Sequence, residues 1–310
     1  MRPALRLLAE QRGEVPALLL AGAHHPLLHS KAVVQPHRGD RLTLAAPDWD
    51  GQERFSEIHL LATPSREETL AYLGLARRAL APGGQLYMSV ENALGADGWR
   101  KRLQPLSALS KHKCRLLQLS AEHLPNQGDP LELRPPNAQA DFVSCPGLFS
   151  WDRLDPGSQF LTQHLPKSLP GCGADLGCGP GLLGRQLLTR GCQRLDLIDV
   201  DQRAVQASLQ NCGGDPRVRA LWLDLVSERP PGGYAWVTLN PPFHGSGREN
   251  RALGVAMLGR AVESLKPSGQ LWLVANQHLP YPQVLASMPV TVIEVHVGRG
   301  YKVMRCQKNA

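Results

Sequence analysis

The stretch Ala174-Asp175-Leu176-Gly177-Cys178-Gly179-Pro180-Gly181 decides the fold. A short apolar run leads into closely spaced glycines, and a helical pattern begins just after them. Glycine lets the backbone adopt positive φ and approach a ligand closely, so this order predicts a strand, a binding loop and a helix. The chain then continues to alternate short apolar runs with helical stretches. This alternation predicts an α/β fold with a parallel sheet covered by helices on both faces.

Apolar runs and periodic stretches locate the elements of the C-terminal half. The predicted strands are 174–178, 195–199, 218–223, 235–239 and 271–275, and the predicted helices are 183–189, 202–210 and 253–265. The end of the chain differs, because residues 290–297 and 301–306 flank Gly298-Arg299-Gly300 and predict a β-hairpin. A parallel sheet that ends in an antiparallel hairpin is typical of the Rossmann-like methyltransferases.

The glycine spacing and the acid beside it favour a cationic cofactor. A GxGxxG dinucleotide loop would need a glycine at Leu182, so a nicotinamide cofactor is disfavoured. A pyrophosphate prefers a bare helix N-terminus, whereas Asp175 places a carboxylate near the loop. S-adenosyl-L-methionine carries a sulfonium and an ammonium group, and we expect it as the cofactor. The loop residues predicted to bind it are Asp175, Gly177, Cys178, Gly179 and Gly181.

Acidic residues after the next two strands are predicted to complete the cofactor site. Asp199 ends the strand 195–199, where a carboxylate can accept hydrogen bonds from both ribose hydroxyls. Asp201 is the alternative, although it could instead cap the following helix. Asp224 follows the strand 218–223 and could accept a hydrogen bond from the adenine amino group. The residues next to these acids, Val200 and Leu225, are assigned to the same site.

The tetrad Asn240-Pro241-Pro242-Phe243 carries the predicted chemistry. It follows the strand 235–239, and ligands of open α/β sheets bind beyond the carboxyl ends of the strands. An exocyclic amine of a base is a poor nucleophile because its lone pair is delocalised into the ring. The Asn240 side-chain oxygen and the Pro241 carbonyl can accept its two N–H groups, which would localise the lone pair and orient it. Asn240 is thereby assigned both to catalysis and to the edge of the cofactor site.

The rest of the tetrad and its neighbour are assigned to the loop and to the acceptor base. Pro241 and Pro242 stiffen the loop by fixing φ. Phe243 offers a flat face on which an extruded base can stack. His244 could contact the base or a phosphate.

The N-terminal half repeats the pattern of the C-terminal half. Residues 79–88 match 264–273, and each segment passes through a proline turn into a strand. Three weaker matches pair 55–64 with 234–243, 41–46 with 194–199, and 18–28 with the glycine loop. Repetition at this scale indicates a duplicated domain.

The first copy lacks the chemical groups of the second. In this alignment Ala46 stands in place of Asp199, and Leu61 in place of Asn240. His24 and Pro26 replace two of the loop glycines. We therefore predict a degenerate, non-catalytic domain over residues 1–137 and a catalytic domain over 138–310. The proline-rich segment 124–139 is predicted to link them.

Composition limits the remaining classes of function. The net charge of the 310 residues is +7, and a basic excess attracts polyanions such as RNA. The seven cysteines form no CxxC pair, which argues against a disulfide framework or a zinc site and favours reduced thiols in a cytoplasm. No apolar run has the length of a membrane span, and no secretion signal is recognised. We expect a cytoplasmic monomer that binds neither metal nor membrane.

The chain resembles the bacterial small-subunit ribosomal RNA guanine-N2 methyltransferases of the RsmC type, and more distantly their large-subunit relatives. The motifs that carry the resemblance are PGLFS to DPGSQFL (146–161), DLGCGPG (175–181), NPPFH (240–244), VANQHLPYP (274–282) and GRGYKV (298–303). It covers essentially all of residues 140–310, and the first half more loosely as a two-domain architecture. Within these motifs, Phe149, Arg299 and Lys302 join Phe243 and His244 as predicted substrate contacts.

The resemblance implies a fold and a reaction. The fold would be two tandem Rossmann-like class I methyltransferase domains, the second with a seven-stranded sheet that ends in an antiparallel hairpin. The reaction would be methylation of guanine N2 in 16S rRNA, with the small ribosomal subunit as partner and S-adenosyl-L-methionine as cofactor.

Other acceptors remain open at this point. The same chemistry would serve a 23S rRNA guanine N2, an adenine N6 in RNA or a glutamine of a release factor. Phe243 argues against the glutamine, because those enzymes generally carry tyrosine there. A non-enzymatic role in RNA binding or assembly remains open for the first domain.

Overall fold

The computed structural model describes residues 3–13, 15–21, 30–41, 47–242 and 248–310, with the side chains of residues 40, 41 and 248–251 outside that description. The chain divides into two compact units. The first is Met1–Glu132 with Cys145–Gly147, and the second is Leu133–Ser144 with Leu148–Ala310. In the described ranges, no helix combines the length and apolar character needed to cross a membrane.

The first unit is built on one mixed sheet. Its elements are α1 (Pro3–Arg12), β1 (Ala17–Leu20), β2 (Ser30–Val34), α2 (Arg38–Arg41), β3 (Phe55–Leu61), α3 (Arg66–Ala79), β4 (Leu80–Glu91), α4 (Ala96–Leu103), β5 (Ser107–Lys111) and β6 (Cys114–Ser120). The strand order is β2-β1-β3-β4-β6-β5. Strands β1 to β4 pair in parallel, whereas β6 is antiparallel to both β4 and β5.

The second unit has a larger sheet of the same kind. Its elements are α5 (Pro156–His164), β7 (Cys172–Leu176), α6 (Leu182–Leu188), β8 (Arg194–Asp199), α7 (Gln202–Asn211), β9 (Val218–Trp222), β10 (Tyr234–Leu239), α8 (Arg248–Ser264), β11 (Leu265–Asn276), α9 (Tyr281–Leu285), β12 (Val290–Gly298) and β13 (Tyr301–Lys308). The seven strands have the order β12-β13-β11-β10-β7-β8-β9. Strand β13 runs antiparallel to β11 and to β12, and the other pairs are parallel. The predicted sheet with its terminal antiparallel hairpin is confirmed.

Apolar strands are buried on both faces of the second sheet, as a parallel sheet between helices requires. One face holds a core around Val237, Leu258 and Leu271. The other face holds a core around Leu187 and Trp236. Burial of this much apolar surface is the main source of stability of such a unit.

The two sheets share one strand order once β9 is left out. Strands β4 and β11 are both 12 residues long. In each strand the third residue is a proline, and a turn lies at the third and fourth residues. Gly83 and Ser268 occupy the same place in those turns, and both have positive φ, 74° and 60°. The predicted match between 79–88 and 264–273 is therefore present in the backbone. The first unit therefore has the fold of the second, as the predicted duplication requires.

The register identifies which residues correspond. Phe55 pairs with Leu80, as Tyr234 pairs with Leu265, so β3 is the counterpart of β10. Asp48 forms an isolated parallel bridge to Val33 of the edge strand β2. Among the residues of the first unit that the structure describes, this bridge takes the place of strand β9.

The predicted match between 41–46 and 194–199 is wrong. The strand beside β1 is β2, and Arg41 is the last residue of the short helix α2. Residues 42–46, with Ala46, lie outside the described residues. The apolar run 42–46 resembled β8 in composition, but pairing along the sheet, which the sequence does not display, assigns that place to β2.

Candidate active site

The glycine loop lies where the chain leaves β7. Gly177, Gly179 and Gly181 all have positive φ, of 73°, 52° and 78°, a region that side chains with a Cβ rarely adopt. The amide groups of Gly177 and Cys178 both donate to the Ile198 carbonyl, at 2.8 and 3.0 Å. The loop is thus fastened to the end of β8. Burial raises the pKa of the Cys178 thiol well above its ordinary value, so that side chain is a neutral packing group.

Asp175 is the buried acid of the site. Its side chain is only 2% exposed and accepts a 2.7 Å hydrogen bond from the Thr238 hydroxyl. Burial raises the pKa of Asp175 to about 7; the Thr238 hydrogen bond opposes this rise, and the charge of Asp199 adds to it. A carboxylate in this state favours a cationic ligand, because a nearby positive charge would restore its ordinary ionisation.

Asp199 and Asp201 have separate tasks. Asp199 Oδ2 accepts from the Gly179 amide at 2.8 Å, and Oδ1 accepts from the Asp201 amide at 2.9 Å, so its carboxylate faces the glycine loop. Asp201 caps helix α7, accepts from the Arg203 amide at 2.9 Å and forms an ion pair with the Arg203 guanidinium. This placement favours Asp199 over Asp201 as the ribose ligand.

The remaining residues assigned to the cofactor lie at the ends of β8 and β9. The Val200 carbonyl accepts a 2.9 Å hydrogen bond from the Trp222 indole, which holds the corner after β8. Asp224 begins a turn, where its carboxylate accepts from the Val226 amide at 3.0 Å and the Ser227 hydroxyl at 2.8 Å. The Leu225 side chain packs into the apolar core, so only its backbone can contribute to the site.

Asn240 follows directly after β10, next to the loop. Its side-chain nitrogen donates to Asp155 Oδ2 at 2.9 Å and to Ser158 Oγ at 3.0 Å. Its side-chain oxygen is buried and has no hydrogen-bond partner among the described residues. A buried oxygen without a donor is costly, and one that lines a cleft is the expected place for a ligand N–H group. Pro241 is buried and Pro242 half-buried.

A narrow cleft brings these groups together. It has a volume of about 40 Å³, and Asp175, Gly179 and Asn240 line it together with Phe149 and Asp155. Ligand sites of small molecules usually measure a few hundred Å³. The segment from Phe149 to Asp155, called the lid below, lines this cleft, and the Phe149 carbonyl lies 3.7 Å from the position that a Cβ on Gly179 would take.

The predicted substrate contacts are placed as follows. Phe149 is 40% exposed at the cleft. Arg299 is exposed in the tight turn between β12 and β13, with φ of 54°, and Lys302 is half-buried in β13. Strand β13 pairs with β11 up to Asn276, so this turn lies at the same edge of the sheet as Asn240. Phe243 and His244 lie outside the described residues.

Sequence reasoning missed three residues that hold the site. Thr238 binds Asp175, and Asp155 and Ser158 bind Asn240. Thr238 was visible as a polar residue inside an apolar strand. Asp155 was visible as a helix cap, because aspartate followed by proline is a common helix start. Neither signal says which distant side chain is contacted.

The first unit lacks these groups at the corresponding positions. Leu19 pairs with His59 as Asp175 pairs with Thr238, so Leu19 takes the place of the buried acid. Gln35 follows β2 where Asp199 ends β8, since Val34 pairs with Leu20 as Ile198 pairs with Leu176. Leu61 takes the place of Asn240, as predicted. The segment with His24 and Pro26 lies outside the described residues.

Comparison with known proteins identifies a family model and relatives that match the chain. Residues 139–305 match the family described as methyltransferase small domain. A protein of Pseudomonas paraeruginosa named ribosomal RNA small subunit methyltransferase C is 32% identical, with 99% of this chain and 100% of the relative covered. A protein of the same name from Pseudomonas aeruginosa is 33% identical, with 88% of each chain covered.

A solved structure shares the two-unit fold. It is the Thermus thermophilus 16S rRNA N2 G1207 methyltransferase RsmC in complex with AdoMet and guanosine. The TM-score is 0.78 at 21% identity, with 99% of this chain and 92% of that chain covered. At this identity the likeness establishes the tandem fold, and the residues of the site must be argued from this chain.

Proposed function

This chain belongs to the ribosomal RNA small subunit methyltransferase C family, and on that premise we propose that it methylates the exocyclic N2 of a guanine in 16S rRNA with S-adenosylmethionine as methyl donor. The Thermus thermophilus protein of the same fold is a 16S rRNA N2 G1207 methyltransferase and was solved with AdoMet and guanosine. We propose guanine 1207, the nucleotide that the Thermus thermophilus protein methylates, as the acceptor here too. Its location in 16S rRNA makes the small ribosomal subunit the partner.

The residues of the second unit suit a cationic nucleoside cofactor. When bound, S-adenosylmethionine supplies a methyl group made electrophilic by its sulfonium. Asp175 offers a buried carboxylate to the positive end of such a ligand, and Asp199 offers oxygens to a ribose at the glycine loop. The positive φ of the loop glycines leaves room for close approach of the ligand to the backbone.

The observation that carries the proposal is the unpaired, buried oxygen of Asn240 at the cleft. The guanine amino group is a weak nucleophile, and it presents two N–H groups. We propose that Asn240 Oδ1 accepts one of them and the Pro241 carbonyl the other, which localises the lone pair and aims it at the methyl carbon. The nitrogen would form a bond to the methyl carbon as the sulfur–methyl bond breaks to leave a neutral thioether, and it would lose one proton to solvent, so no strong general base is required. The contribution is orientation with electrostatic stabilisation.

The acceptor nucleotide would enter between the lid and the hairpin. Phe149 at the cleft offers an apolar contact, and Arg299 and Lys302 at the same sheet edge offer positive charge to the rRNA backbone. Phe243 and His244 follow Pro242 directly in the chain, and we propose that they stack on and contact the extruded guanine.

Mass spectrometry of nucleosides tests this function. Purified small subunits that lack the modification are incubated with the protein and S-adenosylmethionine, and 16S rRNA fragments are mapped. We expect one N2-methylguanosine at position 1207. A methyl group on adenine N6, on a 23S guanine or on a release-factor glutamine would instead replace the proposed acceptor.

Asn240→Ala provides the matching loss of function. We expect it to lower kcat about a hundredfold or more, as removal of a transition-state hydrogen-bonding group does, while cofactor affinity measured by calorimetry is retained. Asn309→Ala is the control, because Asn309 is exposed near the C-terminus and bonds only Thr291 and the Pro289 carbonyl among the described residues. Full turnover in Asn240→Ala would contradict the role given to this side chain.

A further inference from the structure

We propose that Asp155, together with Ser158, is a positioning residue that fixes which way the Asn240 amide faces. This inference rests on the proposed function, because it concerns how the acceptor oxygen of that reaction is presented. Asp155 lies 85 residues before Asn240 in the chain, at the start of α5. The structure brings the two side chains together at the cleft.

The hydrogen bonds of Asn240 account for both of its N–H groups. One is donated to Asp155 Oδ2 at 2.9 Å and the other to Ser158 Oγ at 3.0 Å. Both acceptors are buried, with 6% and 7% exposure. The only polar atom of the side chain left over is Oδ1, the atom that the reaction needs as an acceptor.

The carboxylate decides the orientation of the amide. An ionised carboxylate can only accept hydrogen bonds, so the amide nitrogen must face Asp155. A flipped amide would place its oxygen against the Asp155 carboxylate, so that two acceptors face each other and the hydrogen bond between the two side chains is lost, which costs about 1–3 kcal/mol. A flipped amide would also present N–H groups to the cleft and repel an incoming amino group. Asp155 thus makes the site specific for a donor such as an exocyclic amine.

Asp155 is itself held rigidly. Its Oδ2 also accepts from the Ser158 amide at 2.8 Å, the N-cap bond of α5. A Cβ built on Gly157 would lie 2.9 Å from this same oxygen and 2.9 Å from the Tyr301 ring. The carboxylate is therefore enclosed by the first turn of α5 and by β13, and this enclosure sets where the Asn240 amide is held.

Two substitutions at Asp155 separate its tasks. Serine caps a helix well but is too short to reach Asn240, so Asp155→Ser keeps the cap and removes the contact. Asparagine also caps a helix, and its side-chain oxygen can still accept a hydrogen bond from Asn240. Asp155→Asn therefore keeps the cap and the contact and removes only the charge. Ser158→Ala removes the second acceptor alone.

Steady-state kinetics give the first readout. We expect Asp155→Ser to lower kcat about tenfold or more, with KM for the subunit and cofactor affinity changed less than about twofold. Asp155→Asn should retain most of kcat. In an Asn240→Ala background, Asp155→Ser should have no further effect on kcat, because the residue acts through Asn240. Equal turnover in Asp155→Ser and wild type, or a parallel loss of cofactor affinity, would overturn the inference.

Nuclear magnetic resonance gives a readout that does not depend on activity. The side-chain amide protons of Asn240, assigned by their absence in Asn240→Ala, should exchange slowly in the wild type and rapidly in Asp155→Ser. Unchanged exchange would overturn the inference. If the wild type transfers no methyl group to rRNA but the exchange pattern is as expected, then the proposed function fails while the positioning role stands.

Discussion

At the scale of single residues, the site contains several polar side chains of the same type that have different hydrogen-bond partners. Asp175, Asp199 and Asp201 are all aspartates within one stretch of the second unit. The first is buried beside a threonine, the second binds the backbone of the loop, and the third caps a helix. Their expected responses to substitution therefore differ.

Asp175→Asn should stabilise the cofactor-free protein and weaken cofactor binding. The folded-state pKa of Asp175, about 7, lies above its unfolded value of 3.8. The protonated form therefore contributes stability below pH 4 that is lost as pH rises through 7. Asparagine keeps the acceptor for Thr238 and never ionises, so it escapes this loss.

Thermal melts in the absence of cofactor test this effect. The melting temperatures of the variant and the wild type should agree near pH 4 and separate progressively up to about pH 8, with the variant higher. A constant difference across this range would contradict the assignment of the ionising group to Asp175. Calorimetry at pH 8 should show weaker S-adenosylmethionine binding by the variant.

Asp199→Ala and Asp201→Ala form a matched pair. Loss of hydrogen bonds to a charged acceptor should weaken cofactor binding by roughly tenfold or more in Asp199→Ala. Loss of the cap of α7 and of the ion pair with buried Arg203 should lower the free energy of unfolding by about 1 kcal/mol or more in Asp201→Ala, with cofactor affinity nearly unchanged. Titration calorimetry and urea unfolding separate the two. The reverse pattern would transfer the ribose contact to Asp201.

At the scale of elements, helix α5 connects the lid, the hairpin of β12 and β13, and the residue that follows β10. Its cap Asp155 binds Asn240 after β10, and Gly157 packs against Tyr301 of β13. Phe160 of the same helix lies 3.2 Å from the position that a Cβ on Gly298 would take. A change in the first turn of α5 should therefore act on catalysis without touching the glycine loop.

Gly157→Ala tests this coupling. The added methyl group would lie 2.9 Å from Asp155 Oδ2 and from the Tyr301 ring, so one of them must move. We expect a fall in kcat of about tenfold with little change in cofactor affinity, together with a loss of stability of about 1–3 kcal/mol from overpacking. Gly259→Ala in α8 is the control, because its added Cβ would meet no atom within 4 Å, and we expect full activity. An equally active Gly157→Ala would show that the turn has room to adjust.

At the scale of the whole molecule, one architecture occurs twice, whereas the polar groups of the site occur, among the described residues, in the second unit. Both sheets have parallel strands and an antiparallel pair in the same order, but Leu19, Gln35 and Leu61 take the places of Asp175, Asp199 and Asn240. A parallel sheet folds around its apolar strands and does not need the polar residues at their ends. The residues at the strand ends can therefore differ between the two units while both units keep an apolar core.

Stoichiometry of the intact chain tests this asymmetry. Titration calorimetry with S-adenosylmethionine should give one binding site for each chain, and Asp199→Arg should abolish it, because the guanidinium repels the cationic ligand and fills the loop. A second site that persists in Asp199→Arg would mean that the first unit binds the cofactor. Gln35→Ala should leave the titration unchanged.

Much of the fold was predictable because periodicity is local. The alternation of apolar runs and helical stretches predicted the five parallel strands of the second unit, and the Gly298-Arg299-Gly300 turn predicted the hairpin. The repeat was recognisable where a proline turn marked it, at 79–88. It was assigned wrongly at 41–46, because composition alone cannot tell which apolar run pairs with β1.

The sequence by itself predicted the parallel strands of the second unit, the terminal hairpin and the glycine loop. It also marked Asp175, Asp199 and Asn240 as candidate site residues, since each lies at the carboxyl end of a strand, where ligands bind. Only the tertiary structure decided how these groups are held. Thr238 donates a hydrogen bond to Asp175, and the lid lines the cleft beside the loop. Asp155 accepts a hydrogen bond from Asn240, which lies 85 residues further along the chain. The physical reason is that hydrogen-bonding side chains follow no regular spacing along the sequence that would show which of them meet in the folded chain. Asp155 could be recognised as a helix cap, but its second partner is fixed by the packing of α5 against the sheet.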